Sequence, residues 1–98
     1  MIKKIEGLEN NQNLEELELY DNRIRVIENI SHLTGLVYLD LSFNRIKVIE
    51  GLDTLVNLRK LYLVSNRIKK IEGLNTLVNL EILDLGDNRI RKLENLEA

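Results

Sequence analysis

Ninety-eight residues with 44% hydrophobic side chains make one small domain, and 31% charged residues that nearly cancel, to a net charge of −2, exclude a global attraction to nucleic acid or an anionic membrane. Cysteine is absent, which excludes a disulfide framework and a thiolate zinc site. The opening Met1-Ile2-Lys3-Lys4-Ile5-Glu6 holds no apolar stretch of signal-peptide length, and no run of about 18 apolar residues occurs anywhere, so the expectation is a soluble, intracellular protein of the cytoplasm, the nucleus or both.

Residues 1–13 read as a partial unit, with Ile2, Ile5 and Leu8 spaced by three and polar Asn11 where a further leucine would fall. A full unit starts at Leu14 and recurs every 22 residues, dividing the single domain 1–98 into repeats 14–35, 36–57, 58–79 and 80–98. Each opens with alternating leucines: Leu17 and Leu19, Leu39 and Leu41, Leu61 and Leu63, Leu83 and Leu85. Period two predicts a short strand with one buried face. Each then passes an asparagine and spaces its apolar residues by three, as in Ile24, Ile27, Ile30 and Leu33, which fits short 3₁₀ or single-turn helical segments. A strand followed by a return turn, repeated in register, predicts an α/β solenoid. It is a right-handed coil with a parallel sheet on the concave face and short helical turns on the convex face.

Two recurring positions are polar or small for structural reasons. Asn22, Asn44, Asn66 and Asn88 stand between apolar neighbours, where an amide carries both a donor and an acceptor for backbone groups leaving the strand. Gly7, Gly51 and Gly73 share a second position, with Asn29 and Asn95 as its other occupants, and this selection predicts a tight turn in left-handed geometry. Asn29-Ile30-Ser31 also matches a glycosylation sequon, read as chance without a secretory signal.

The strand residues facing away from the core form the candidate binding surface. Its central column is Glu18, Asp40, Tyr62 and Asp84, flanked by Glu16, Tyr38, Lys60 and Ile82 and by Tyr20, Ser42, Val64 and Gly86. All three tyrosines of the chain fall in these columns. Tyrosine buries a large area with a polar tip, and the surrounding carboxylates suit a partner surface bearing lysine and arginine. Away from it, Arg23, Arg45, Arg67 and Arg89, with Arg25, Lys47, Lys69 and Arg91, stand near Glu6, Glu28, Glu50, Glu72 and Glu94. Paired columns of opposite sign predict a solvated ion-pair ladder. No catalytic residue, cofactor site or metal site emerges. The single histidine, His32, reads as a surface residue of the return side, and Glu18, Asp40 and Asp84 lie on an open surface rather than in a cage.

The repeat L-x-x-L-x-L-x-x-N-x-I-x-x-I-x-x-L resembles the leucine-rich-repeat family over essentially the whole chain. Its length and its N-x-I-x-x-I half look like the Sds-type subclass, which includes regulatory subunits of protein phosphatase-1. Tyr20-Asp21-Asn22, Asp40-Leu41-Ser42-Phe43-Asn44, Leu63-Val64-Ser65-Asn66 and Leu85-Gly86-Asp87-Asn88 resemble consecutive repeats of such a subunit, in order. The resemblance implies a longer parent solenoid with a capping element. It also implies a non-catalytic scaffold whose concave face holds the phosphatase-1 catalytic subunit through Asp40, Tyr62 and Asp84, with Glu18 matching by repeat position and Tyr20 and Tyr38 beside them. The alternatives are an Sds-type adaptor for another protein, spliceosomal or axonemal, and a structural module that self-associates through uncapped ends.

Overall fold

The computed structural model describes residues 1–90. Arg91, Leu93, Glu94, Asn95 and Leu96 of the repeating columns therefore lie outside the described residues.

Leucines at alternate positions give each repeat one three-residue strand: β1 (Glu16–Glu18), β2 (Tyr38–Asp40), β3 (Lys60–Tyr62) and β4 (Ile82–Asp84). They form one parallel sheet in sequence order, β1-β2-β3-β4. The register follows the repeat, with Leu17 opposite Leu39, Leu39 opposite Leu61 and Leu61 opposite Leu83. Parallel bonding runs past each strand, through pairs such as Leu41 N–H to Tyr62 O at 2.9 Å and Phe43 N–H to Val64 O at 2.7 Å. A second row joins the coils beyond the asparagines, from Arg45 N–H to Ile24 O and from Arg67 N–H to Ile46 O, both 2.8 Å.

The return side is built from single turns. Leu33, Leu55 and Leu77 donate their N–H to Ile30, Leu52 and Leu74, and Leu36, Leu58 and Leu80 donate to Leu33, Leu55 and Leu77, all three residues back. This is the bonding of 3₁₀ geometry in isolated turns, so strand is the regular element among the described residues and the expected helical segments amount to one turn each. Spacing by three lets each turn aim one branched side chain inward. Ile24, Leu33, Leu36, Leu39, Leu41, Ile46, Leu52, Leu55, Leu58, Leu61, Leu63 and Ile68 are fully buried, a single aliphatic core between neighbouring coils. Each such side chain contributes about 1.5–3 kcal/mol relative to exposure.

The asparagines stitch coil to coil. Asn66 Nδ2 donates to Leu63 O and Val64 O in its own coil and to Leu41 O in the preceding one, while its Oδ1 accepts Ile46 N–H at 3.0 Å. Asn44 repeats the pattern on Leu41, Ser42, Leu19 and Ile24, and Asn88 on Leu85, Gly86, Leu63 and Ile68. No buried side-chain polar atom among the described residues lacks a partner. A second stitching, unforeseen from the sequence, lies on the return side. Thr54 and Thr76 hydroxyls donate to Ser31 O and Asp53 O, and Asn57 and Asn79 amides donate to Thr34 O and Val56 O.

Left-handed backbone occurs in two columns. Gly7, Gly51, Gly73 and Asn29 have φ of 81°, 71°, 71° and 61°, as their shared position predicts. The other column was not foreseen. Asp21, Phe43, Ser65 and Asp87, each just before a stitching asparagine, have φ between 53° and 59°.

Asn66→Ala is expected to lower stability by at least about 2 kcal/mol, because it strips buried partners from backbone groups of two coils; denaturant titration measures it. Alanine at the glycines should destabilise in the order Gly73, Gly51, Gly7. The left-handed penalty of roughly 1–2 kcal/mol is shared by all three. An added Cβ would also stand 2.7 Å from Ile49 O at Gly73 and 3.0 Å from Ile27 O at Gly51, but would meet nothing within 4 Å at Gly7. Equal losses at Gly7 and Gly73 would contradict this account.

Candidate functional site

Alternation puts the residues on either side of each buried strand leucine on the outward face of the sheet. Glu16, Glu18, Lys60, Ile82 and Asp84 are exposed there, and Tyr38, Asp40 and Tyr62 are half-buried among them. Tyr38 opposes Lys60 and Asp40 opposes Tyr62, so the two tyrosines are diagonal neighbours on adjacent strands. Their rings lie 5.4 Å apart between centroids and are tilted by 46°, a favourable aromatic pair geometry.

The carboxylates do two things. Asp40 Oδ1 accepts Ser42 N–H at 2.9 Å and Asp84 Oδ1 accepts Gly86 N–H at 3.0 Å, closing the chain's exit from β2 and β4. The charge of each remains on the outward face, since neither aspartate makes an ion pair among the described residues. Tyr38 registers that field. Its hydroxyl keeps its proton above the ordinary phenol value of 10.0, first through desolvation and then through the negative charges of Asp40, Glu18 and Glu16, with Tyr62 adding to them.

Tyr20, the remaining tyrosine of the surface, stands 53% exposed beyond β1. Ser42, in the same column, is not part of the surface. It is 5% exposed, and its Oγ accepts Val64 N–H at 3.1 Å, so a hydroxyl in this column serves the coil contact. Sequence reasoning also passed over Phe43, which is 56% exposed at the rim just past the β2 exit. Its signal was present in the composition: the only phenylalanine of the chain lies in none of the buried columns.

Among the described residues the expected ion-pair ladder does not form. Arg59 Nε and Glu81 Oε2, 3.7 Å apart and both more than half exposed, make the ion pair of the described residues. The basic columns follow the asparagine turn and the glutamates precede the glycine turn, and exposed charges gain too little from pairing to close that separation. His32 is half-buried rather than a free surface residue, with its Nε2 donating to Leu8 O at 2.8 Å. Among the described residues no group of three or more His, Asp or Glu side chains is arranged to hold a metal ion, and no helix is long and apolar enough to cross a membrane.

Residues 12–54 and 56–98 each match the family pattern described as Leucine Rich repeats (2 copies). The chain belongs to the leucine-rich-repeat family. That family is in general a non-catalytic, protein-interaction fold. No curated protein matches the chain. Among solved structures this leucine-rich-repeat chain is similar to internalin C2 of Listeria monocytogenes, at 33% identity and a TM-score of 0.84, over 92% of this chain and 41% of that one. It is similar to internalin F of the same bacterium at 34% identity and 0.79, over 84% and 24% of the two chains. A leucine-rich-repeat protein of Leptospira interrogans matches at 33% and 0.76, over 81% and 21%. The chain thus spans less than half the length of these relatives.

Tyrosinate absorbance, with Tyr38→Phe as the reference, should place the Tyr38 midpoint above 10.0, and Glu18→Gln with Asp40→Asn should lower it. The folded value is the raised one. The stability this group contributes is therefore whole below the unfolded phenol's midpoint and lost as pH rises through the folded one. An unmoved midpoint in the double variant would show that the carboxylates do not reach the ring.

Proposed function

We propose that this chain is a protein-binding scaffold that holds a basic segment of its partner on the outward face of the sheet. The observation that carries the reading is the Tyr38–Tyr62 pair set among Glu16, Glu18, Asp40 and Asp84. Paired aromatics supply area with little side-chain entropy to lose, and the carboxylates supply complementarity to lysine and arginine. An open four-stranded surface suits a macromolecular partner better than a small molecule, which needs a concave pocket.

Within this reading the partner is the catalytic subunit of protein phosphatase-1, the partner that the Sds-type resemblance implies. Asp40, Tyr62 and Asp84 are the contact residues, with Glu18, Tyr20 and Tyr38 around them. The partner's bound segment is basic, and the chain acts by holding or placing the phosphatase rather than by chemistry of its own.

Calorimetric titration against the purified catalytic subunit tests both levels. Asparagine is the right replacement at Asp40 and Asp84, because it keeps the Oδ1 acceptor for Ser42 and Gly86 N–H while removing the charge. Saturable binding is expected, weakened at least roughly tenfold in Asp40→Asn/Tyr62→Ala/Asp84→Asn, a loss of about 1.4 kcal/mol or more. No binding by a folded, monomeric wild-type chain would remove phosphatase-1 as the partner. Binding that is indifferent to the triple variant would remove the sheet face as the site.

A further inference from the structure

The column before the stitching asparagines holds left-handed backbone in four consecutive coils, and three of its occupants are Asp21, Ser65 and Asp87. Small polar side chains tolerate this geometry. The fourth is Phe43, with φ of 57°, and a bulky residue there is an outlier. Its ring is not repaid by burial, since it is 56% exposed and belongs to no part of the core. Strained backbone clusters at ligand clamps and other functional sites, and large aromatics are enriched where partners bind.

The surroundings define that contact. On the preceding coil, Tyr20 falls in register with Ser42, the residue before Phe43, and it too is more than half exposed. Ser42 is buried and adds no bulk to the rim. Along the chain Tyr20 and Phe43 stand between Glu18 and Asp40 of the sheet face and the columns that begin at Arg23 and Arg45, with exposed Asp21 in register with Phe43. The rim is therefore the border where an acidic surface gives way to a basic one. A charged partner side chain is poorly matched on such a border, and an apolar one is well matched.

We infer that Phe43, with Tyr20, forms an apolar docking point at the edge of the sheet face, for one large aliphatic side chain of a partner segment whose basic side chains lie over Glu18, Asp40 and Asp84. This deepens the function proposed above and rests on it. The segment it selects is amphipathic: basic toward the sheet and apolar at the rim. Phe43 is a specificity contact, and its column would be more comfortable without it.

Two synthetic peptides serve as probes, one alternating arginine with leucine and one alternating arginine with alanine. The wild-type chain should bind the leucine peptide roughly five- to tenfold more tightly, the scale of one well-placed apolar contact. Phe43→Asn, which suits left-handed backbone, should abolish that preference while leaving the thermal midpoint unchanged or raised. Asp40→Asn with Asp84→Asn should weaken both peptides alike and leave the preference in place. A preference that survives Phe43→Asn, or a thermal midpoint that falls in that variant, overturns the rim contact while the sheet-face reading stands. Failure of both peptides to bind the folded wild-type chain overturns the two together.

Discussion

A side-chain amide that bonds two coils at once is the interaction on which this solenoid rests. The carbonyls of Leu19, Leu41 and Leu63 each accept an amide from the asparagine of their own coil and another from the asparagine of the next. Hydrophobic burial decides which residues face inward but is non-directional, so it leaves the fine alignment of one coil on the next loose. The amides remove that freedom. Their donors and acceptors match the backbone only when each coil is displaced by 22 residues, so they convert a sticky stack into one arrangement.

Once register is fixed inside, the outward positions become columns, and each column can take its own chemistry. The sheet face collects carboxylates and tyrosines, and the flank beyond the asparagines collects arginine and lysine. Like charges on adjacent strands repel, and the chain accepts this at exposed sites where water weakens the interaction. Asp40 and Asp84 show how closely function and scaffold can be combined, because one carboxylate both shapes the exit of its strand and charges the surface.

Much of this arrangement was legible because the repeat states it four times over. Strand positions, inward leucines, the outward columns apart from buried Ser42, and the left-handed turn at Gly7, Asn29, Gly51 and Gly73 all follow from residue types recurring at a fixed step. What escaped was whatever residue type does not announce. Asp21, Phe43, Ser65 and Asp87 share a backbone conformation without sharing a side chain, so no composition marks their column. The bonds of Thr54 and Thr76 belong to no column singled out in the sequence, although the matching Thr-Leu-Val-Asn-Leu stretches at 54–58 and 76–80 carried the signal. Among the described residues the ion-pair ladder failed for the opposite reason: charge columns can be counted in a sequence, but the distance between them around the coil cannot.

The constant offsets of the inter-coil bonds, 20 and 25 residues at each of Asn44, Asn66 and Asn88, also set the grammar by which such a chain can change length. Inserting one residue in a coil would misalign the amides on both sides of it and rotate its strand leucines out of the core. Inserting a whole coil would leave every bond with an equivalent partner. Length is therefore quantised, and a lineage built on this plan extends or shortens its binding surface one strand at a time while each existing contact keeps its place.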